Sequence, residues 1–367
     1  MTLLLLVILP CTLNLFWINI VGKYLTFAFA ALGLVLLWGR AGVLSLGQGL
    51  FFGMGGYCMA MFLKLEASDP ISTKIQSTPG IPDFMDWNQL THLPAFWAPF
   101  KSLPFSLFAV LALPTLVAFI IGLAMFKRRV GGVYFAIITQ ALALIFSLAI
   151  DGNQGYTGGR NGITDLKTIW GWDIRTHHAQ HVLYFVTSFL LLLSIVLLQW
   201  LLSGKMGKIL VAMREREDRV RFSGYDVSMF KVFVFCLAAM LSGIGGALFV
   251  LQVGFIAPSL VGIVPSIEIV IFAAVGGRAS LFGAVYGTLL VNAGKSLFSD
   301  SFPSAWLFCM GALYIGVVVL FPNGLVGGWN WWCKNMWPGM LARLKEGPPK
   351  ESADTVIGKV AAKGETP

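Results

Sequence analysis

Charge is what this 367-residue chain has least of. Asp, Glu, Lys and Arg make up 12% of it and histidine occurs four times, against a hydrophobic fraction of 57%. A water-soluble domain needs a polar surface around its core, and a chain of mean hydropathy +0.79 has too little polar surface to supply one. A soluble enzyme is therefore excluded, and the chain reads as an integral membrane protein. Its five cysteines, Cys11, Cys58, Cys236, Cys309 and Cys333, lie in or beside apolar runs without CxxC spacing, so they read as small apolar packing residues. No GxSxG occurs, which removes the nucleophile elbow of a hydrolase. A P-loop is missing too. In the run from Gly287 to Ser296 six residues separate the glycines where that loop needs four, and the run lies within an apolar stretch. Lys295 there reads as an end-of-span residue reaching for the interface, and any ATP must be bound by another chain. The formal charge of +9 is not laid out as a basic stripe with interleaved aromatics, so nucleic acid is not expected as a partner. In His177-His178-Ala179-Gln180-His181, two imidazoles share a helix face at a metal-holding spacing. Asp173 precedes them by four residues, but no acid or thiol stands at a matching spacing, so the cluster reads as a solvated helix start and no metal is expected.

What the chain does have is long apolar runs. The opening MTLLLLVILPCTLNLFWINIV lacks the basic start of a secretory signal and is read as a retained first span. About 20 residues cross a hydrocarbon core of roughly 30 Å. Stretches able to do so fall near 1–21, 24–39, 44–63, 105–126, 132–150, 181–202, 231–251, 262–276, 279–297 and 305–320. Two of them, 44–63 and 262–276, are short or glycine-interrupted and are expected to be broken or re-entrant. If the ten alternate, Arg40, Lys127-Arg128-Arg129, the segment 205–231 and the tail with Lys334, Arg343, Lys345 and Lys350 all fall on one side, which the excess of Lys and Arg marks as cytoplasmic. The expectation is an all-α polytopic membrane bundle of about ten segments with both termini cytoplasmic. The membrane domain spans 1–328, the loops 64–104 and 151–180 face outward, and a polar tail at 329–367 is expected to be disordered. The GxxxG patterns Gly49–Gly53 and Gly283–Gly287 suit close helix packing in lipid.

Three places carry functional signal. QGYTGGRNGITD, residues 154–165, has four glycines and almost no apolar side chains. By the charge rule it lies outside, where a glycine-rich turn of Tyr156, Thr157, Gly158, Gly159, Arg160 and Asn161 suits the mouth of a path. The segment 204–224 is the longest charged interruption on the inner side. Ile209, Leu210 and Met213 share a helix face ahead of the charged turn Arg214-Glu215-Arg216-Glu217, Asp218 is placed to cap a second short helix and Gly224 to end it. Such a helix reads equally as a solvated connector or as a dock for a cytoplasmic partner. Glu268 is the one acid well inside a span, either lining a path or bonded to a backbone break near Pro265. Gln140, Thr139 and Asn292 are lesser polar candidates.

The run GKILVAMREREDRVRFSGYDVSMFKVFVFCLAAMLSGIGGALF resembles the coupling region and following helix of the branched-chain amino acid and urea ABC transporter permeases, with Gly207, Ala212, Arg214, Glu217 and Gly224 at the matching places. YFAIITQALALIF, QGYTGGRNGITDL and IEIVIFAAVGGRASLFGAVYG are most similar to the urea-type permeases. The resemblance covers roughly 24–328 and departs from the family at Arg160 and at Ala279-Ser280, where Gly-Thr is usual. It implies a non-catalytic permease subunit of an ABC importer in the bacterial inner membrane, forming half of a path for a small polar solute. Urea is the first expectation, with branched-chain amino acids or short amides as the alternative. It further implies a homologous second permease, two ATPase subunits that bind ATP and Mg, a periplasmic solute-binding protein and surrounding lipid. A passive channel would need no dock, so the 204–224 segment weighs against one.

Overall fold

The computed structural model describes residues 5–6, 9–70, 73, 76, 78–301 and the positions 308–309, 311–312, 315–316 and 324. Apart from those few positions, the expected stretch 305–320 lies outside the described residues, as does the tail 329–367. The described chain is helical: α1 (Leu9–Thr12), α2 (Leu15–Leu34, continued by a π-helical turn Val35–Arg40), α3 (Gln48–Ala67), α4 (Asp83–Trp87), α5 (Leu103–Lys127), α6 (Gly132–Gly152), α7 (Gln154–Thr157), α8 (His177–Ser203), α9 (Lys205–Glu215), α10 (Glu217–Phe222), α11 (Val227–Val253), α12 (Ile263–Gly276) and α13 (Leu281–Ser301). A two-residue hairpin, β1 (Thr168–Ile169) with β2 (Trp172–Asp173), is the one sheet among the described residues. Its turn residues Trp170 and Gly171 both have positive φ, as a tight primed turn requires.

Seven segments of the described residues are long and apolar enough to cross a membrane. The expected spans 1–21 and 24–39 give way to one: Leu15–Arg40 is a continuous helical segment of 26 residues. Val21-Gly22-Lys23 looked like a turn between spans because glycine and lysine interrupt the apolar run. Instead Gly22 leaves room for the Gln252 side chain, and Lys23 turns into a cavity described below. The start of α2 lies beside the start of α8, where Asn19 Nδ2 donates to Gln180 Oε1 at 2.8 Å. The stretch 44–63 is not broken either, since α3 runs unbroken for 20 residues. By contrast α12 has 14 residues, about 21 Å, and is extended by a 3-10 turn Pro258–Leu260.

The centre of the bundle is α2, α3 and α11, which pack on one another, with α5 and α8 outside them and the α12–α13 hairpin against α2. Close approach comes from small residues, because lipid supplies no hydrophobic drive between helices. Gly55 faces Gly243, Gly33 faces Ala238, and Gly246 lies against the Phe52 main chain. Phenylalanine rings fill the remaining space, Phe27, Phe52 and Phe249 in one group and Phe51, Phe126, Phe135 and Phe235 in another. The rim helices α5, α6 and α8 turn Phe108, Ile120, Ile145, Phe189 and Trp200 outward, an apolar perimeter fit for lipid.

Candidate functional site

One end of the bundle is built from the end of α2, the starts of α11 and α13 and the α9–α10 arm. The chain turns at Gly204 between α8 and α9, and Gly207 in the first turn of α9 lies so close to α8 that a Cβ there would strike the Leu202 main chain. Leu210 and Met213 on α9 and Val220 on α10 are buried in the main core. The apolar face of α9 is therefore spent on the membrane domain itself, and the exposed face is mostly charged: Lys208, Glu215 and Arg216 are exposed, with Ala212 between them. Arg214 Nη1 donates to the carbonyl oxygen of Gly39 at 2.7 Å, and Gly42 makes room for its stem. Glu217, the first residue of α10, pairs with Arg221 Nη2 at 3.0 Å and with Lys231 Nζ at 2.6 Å, Lys231 lying near the start of α11. Two of the predicted residues are thus tethers, one to α2 and one to α11. Asp218 lies in the first turn of α10 and makes no side-chain cap there. The start of α10 has no side-chain cap; the following helix α11 is capped by Asp226, whose Oδ1 accepts from the Ser228 and Met229 amides. Gly224 follows α10 with φ of 86°, the left-handed form that ends a helix. Phe222, not singled out from sequence, is 92% exposed at the tip of the arm. Its signal was an aromatic among charges just before the terminating glycine.

Within the membrane, Glu268 is not bonded to a backbone break. Its Oε1 accepts from Lys295 Nζ at 2.5 Å, so Lys295 reaches across to α12 rather than toward the interface. Both line a cavity of about 330 Å³ between α2, α12 and α13, together with Lys23, Tyr24 and Asn292. Tyr24 and Ser296 join hydroxyls across its wall. Buried Asn292 donates Nδ2 to Thr288 O at 2.9 Å. Thr139 is buried elsewhere. Its hydroxyl accepts from the Leu46 amide at 3.1 Å and donates to Ala136 O at 2.9 Å, fixing the loop between α2 and α3 against α6. Neither Thr139 nor half-buried Gln140 lines the Glu268 cavity. The structure therefore brings together two of the four predicted polar residues and adds Lys23 and Lys295.

The outer block is a compact irregular turn. After α7, Gly158 and Gly159 take positive φ and lead into a 3-10 turn Gly159–Asn161. Gly162, φ 71°, lets the chain pass against Ile256, and Ile163 then exchanges two backbone hydrogen bonds with Ile256, at 2.8 and 3.0 Å. Tyr156 stacks loosely beside Phe96, and its carbonyl accepts from Trp97 Nε1 at 2.9 Å. The Thr157 hydroxyl donates to Ile150 O at 2.7 Å. Buried Lys64 pairs with Asp83 at 2.9 Å and donates to Thr164 O at 3.0 Å, binding the end of α3 to both outer loops. Arg160 points away, 91% exposed and 3.9 Å from Asp151, too open for the pair to hold the loop. The histidines stand at the start of α8, where Thr176 caps the helix by accepting from the Ala179 amide.

A helical bundle with, among the described residues, seven segments long and apolar enough to cross a membrane, a cavity lined by charged groups and a charged arm tied to two of the spans defines a polytopic membrane protein. The chain belongs to the family of branched-chain amino acid transport system permease components, whose pattern matches residues 16–318. It is similar to the high-affinity branched-chain amino acid transport system permease protein LivM of Salmonella typhimurium, 24% identical over 331 residues, 84% of this chain and 69% of that protein. It is likewise similar to LivM of Escherichia coli K12, 25% identical over 332 residues with the same shares covered. No solved structure matches it. Family and apolar helices together make it a multi-pass protein of the bacterial inner membrane. Neither relative is a urea permease, so the finer resemblance to the urea type gains no support from them.

Proposed function

We propose that this chain is the permease subunit of an ATP-driven importer for branched-chain amino acids, doing no catalysis itself. A second permease would complete the path, two ATPase subunits binding ATP and Mg would dock on the inner face, and a periplasmic binding protein would deliver the solute. The observation that carries this reading is the double tether of the α9–α10 arm, Arg214 to the Gly39 carbonyl and Glu217 to Lys231. A motor outside the membrane can bias a transport equilibrium only through a body that moves with the spans. An arm bonded to both α2 and α11 meets that condition, and a passive channel has no use for it. The names of the two relatives favour branched-chain amino acids over urea as the cargo. The testing experiment is reconstitution of the chain with its co-encoded partners in proteoliposomes. ATP-dependent leucine uptake that exceeds urea uptake supports the proposal, and ATP-independent flux of either solute overturns it.

A further inference from the structure

We propose that the cavity between α2, α12 and α13 is a zwitterion site on the transport path, in which Lys23 receives the carboxylate of an amino acid while Glu268 turns from Lys295 to its ammonium group. The inference rests on the importer reading above and names the residues that would recognise its cargo.

Three charged groups line this cavity: the Lys23 and Lys295 ammoniums and the Glu268 carboxylate. Glu268 and Lys295 satisfy each other at 2.5 Å, and among the described residues no carboxylate is paired with Lys23. Two positive charges against one negative leave an excess of one positive charge. Lys23 lies about 12 Å along α2 from Leu15, well inside the span, where an uncompensated ammonium is costly and marks a function. Its nearest aromatic support is the Phe249 ring at 6.0 Å, a weak substitute for an anion. A carboxylate placed beside Lys23 gives that ammonium a counter-ion, which urea, having no charged group, does not offer; the zwitterion as a whole adds no net charge to the cavity.

The other walls fit the rest of an apolar amino acid. Phe27, one turn from Lys23 on α2, and Val264 and Pro265, one turn from Glu268 on α12, line the cavity beside the charged groups, with Leu260. The volume of about 330 Å³ falls at the small end of ligand pockets, roughly 300–1,000 Å³. Glu268 and Lys295 hold each other across the cavity. An α-ammonium competes for Glu268, and the carboxylate then lies between two lysines, so a zwitterion exchanges one internal pair for two external ones. Neither a carboxylic acid nor an amine alone makes both exchanges. Lys23 also stands on the helix whose inner end, Gly39, is held by Arg214, so one rigid segment joins this site to the cytoplasmic arm.

The test uses the complete transporter in proteoliposomes with ATP inside and binding protein saturated with leucine outside. Lys23→Gln is expected to lower the maximal leucine uptake rate about tenfold or more while leaving the binding-protein concentration for half-maximal uptake unchanged, and Lys23→Arg to restore much of the rate. Assembly is checked by co-purification of the ATPase. Should Lys23→Gln fail to assemble, Val264→Cys at the exposed edge of the cavity gives a second reading: leucine, and not urea, 4-methylpentanoate or isoamylamine, slows its labelling by a cationic thiosulfonate. Leucine uptake untouched by Lys23→Gln, or equal protection by all four compounds, overturns the inference and leaves the importer reading standing. Wild-type uptake of urea without leucine overturns the amino acid reading itself, and the zwitterion site with it.

Discussion

Arg214 donates its guanidinium to the main-chain carbonyl of Gly39 at 2.7 Å, bridging 175 positions of sequence to join the cytoplasmic arm to the inner end of α2. The acceptor lies in the π-helical turn Val35–Arg40, where the helix ladder is loosened and a carbonyl is free to take an outside donor. A Cβ at Gly39 would strike the Arg278 main chain, so the same residue is also the point where α2 meets the α12–α13 turn. The arm is thus in contact, through Gly39, with α2 and the α12–α13 hairpin, which enclose the charged cavity.

Glu217 is the second tether, and its worth is separable from Arg214. Its partner Lys231 has a side chain only 17% exposed, so Glu217→Gln leaves an ammonium less compensated at the base of α11. A double-mutant cycle of Glu217→Gln with Lys231→Met is expected to show a coupling of about 0.5–1 kcal/mol, discounted for the half-exposed carboxylate. Thermal unfolding of the purified protein in detergent reads it, and independent, additive effects would show that the pair contributes nothing.

Phe222 separates docking from folding. With 92% of it exposed, Phe222→Ala should shift the thermal midpoint little, within about 0.5 kcal/mol of stability. Co-purification of the ATPase should fall severalfold, because an exposed aromatic is the residue type that anchors interfaces. Retention of the ATPase at the parental level would place the dock elsewhere on the arm.

How much of this was legible in the sequence differs from place to place. Apolar length placed most spans within a few residues, and the turn of α9 was readable from Leu210 and Met213 at helical spacing. The use of that face was not. An amphipathic stripe is the same whether it buries itself in its own core or waits for a partner, and here it is buried. Gly22-Lys23 mimicked a turn because the sequence does not show that Gln252 fills the space over the glycine. Lys295 looked like a snorkelling residue because its partner Glu268 is 27 positions away across a helical hairpin. Arg214 and Glu217 were singled out by type and spacing, while their bonds, to Gly39 and Lys231, depended on long-range packing that no local pattern encodes.

The outer block gives a paired prediction. Gly162→Ala puts a Cβ at φ 71° and within 2.7 Å of Ala257 Cα, breaking the Ile163–Ile256 bridge. A cost of about 1–3 kcal/mol is expected, with loss of uptake. Arg160→Ala should leave the thermal midpoint unchanged, since its pair with Asp151 is long and exposed. If Arg160 meets the binding protein, the same variant raises the binding-protein concentration needed for half-maximal uptake, more so at low salt. Identical salt dependence in parent and variant would assign Arg160 no part in docking.

Gly246 tests the packing of the bundle. A Cβ there lies 2.7 Å from the Phe52 carbonyl carbon, so Gly246→Ala must push α3 and α11 apart. Overpacking of this kind costs about 1–3 kcal/mol, and here it falls on backbone that cannot move aside. Gly294→Ala is the control, because no atom lies within 4 Å of its added carbon and alanine is the better helix former by about 1 kcal/mol. The detergent melting midpoint should drop for the first and hold or rise for the second. Equal midpoints would contradict the close approach of α3 and α11.

The coupling claim is tested most directly by the number of leucine molecules imported per ATP hydrolysed in proteoliposomes carrying Arg214→Ala. A hydrogen bond from a charged donor contributes about 1.5–3 kcal/mol, and 1.4 kcal/mol is a factor of ten. The account predicts that hydrolysis continues while leucine imported per ATP falls about tenfold or more. An unchanged ratio, with the variant fully assembled, would contradict it.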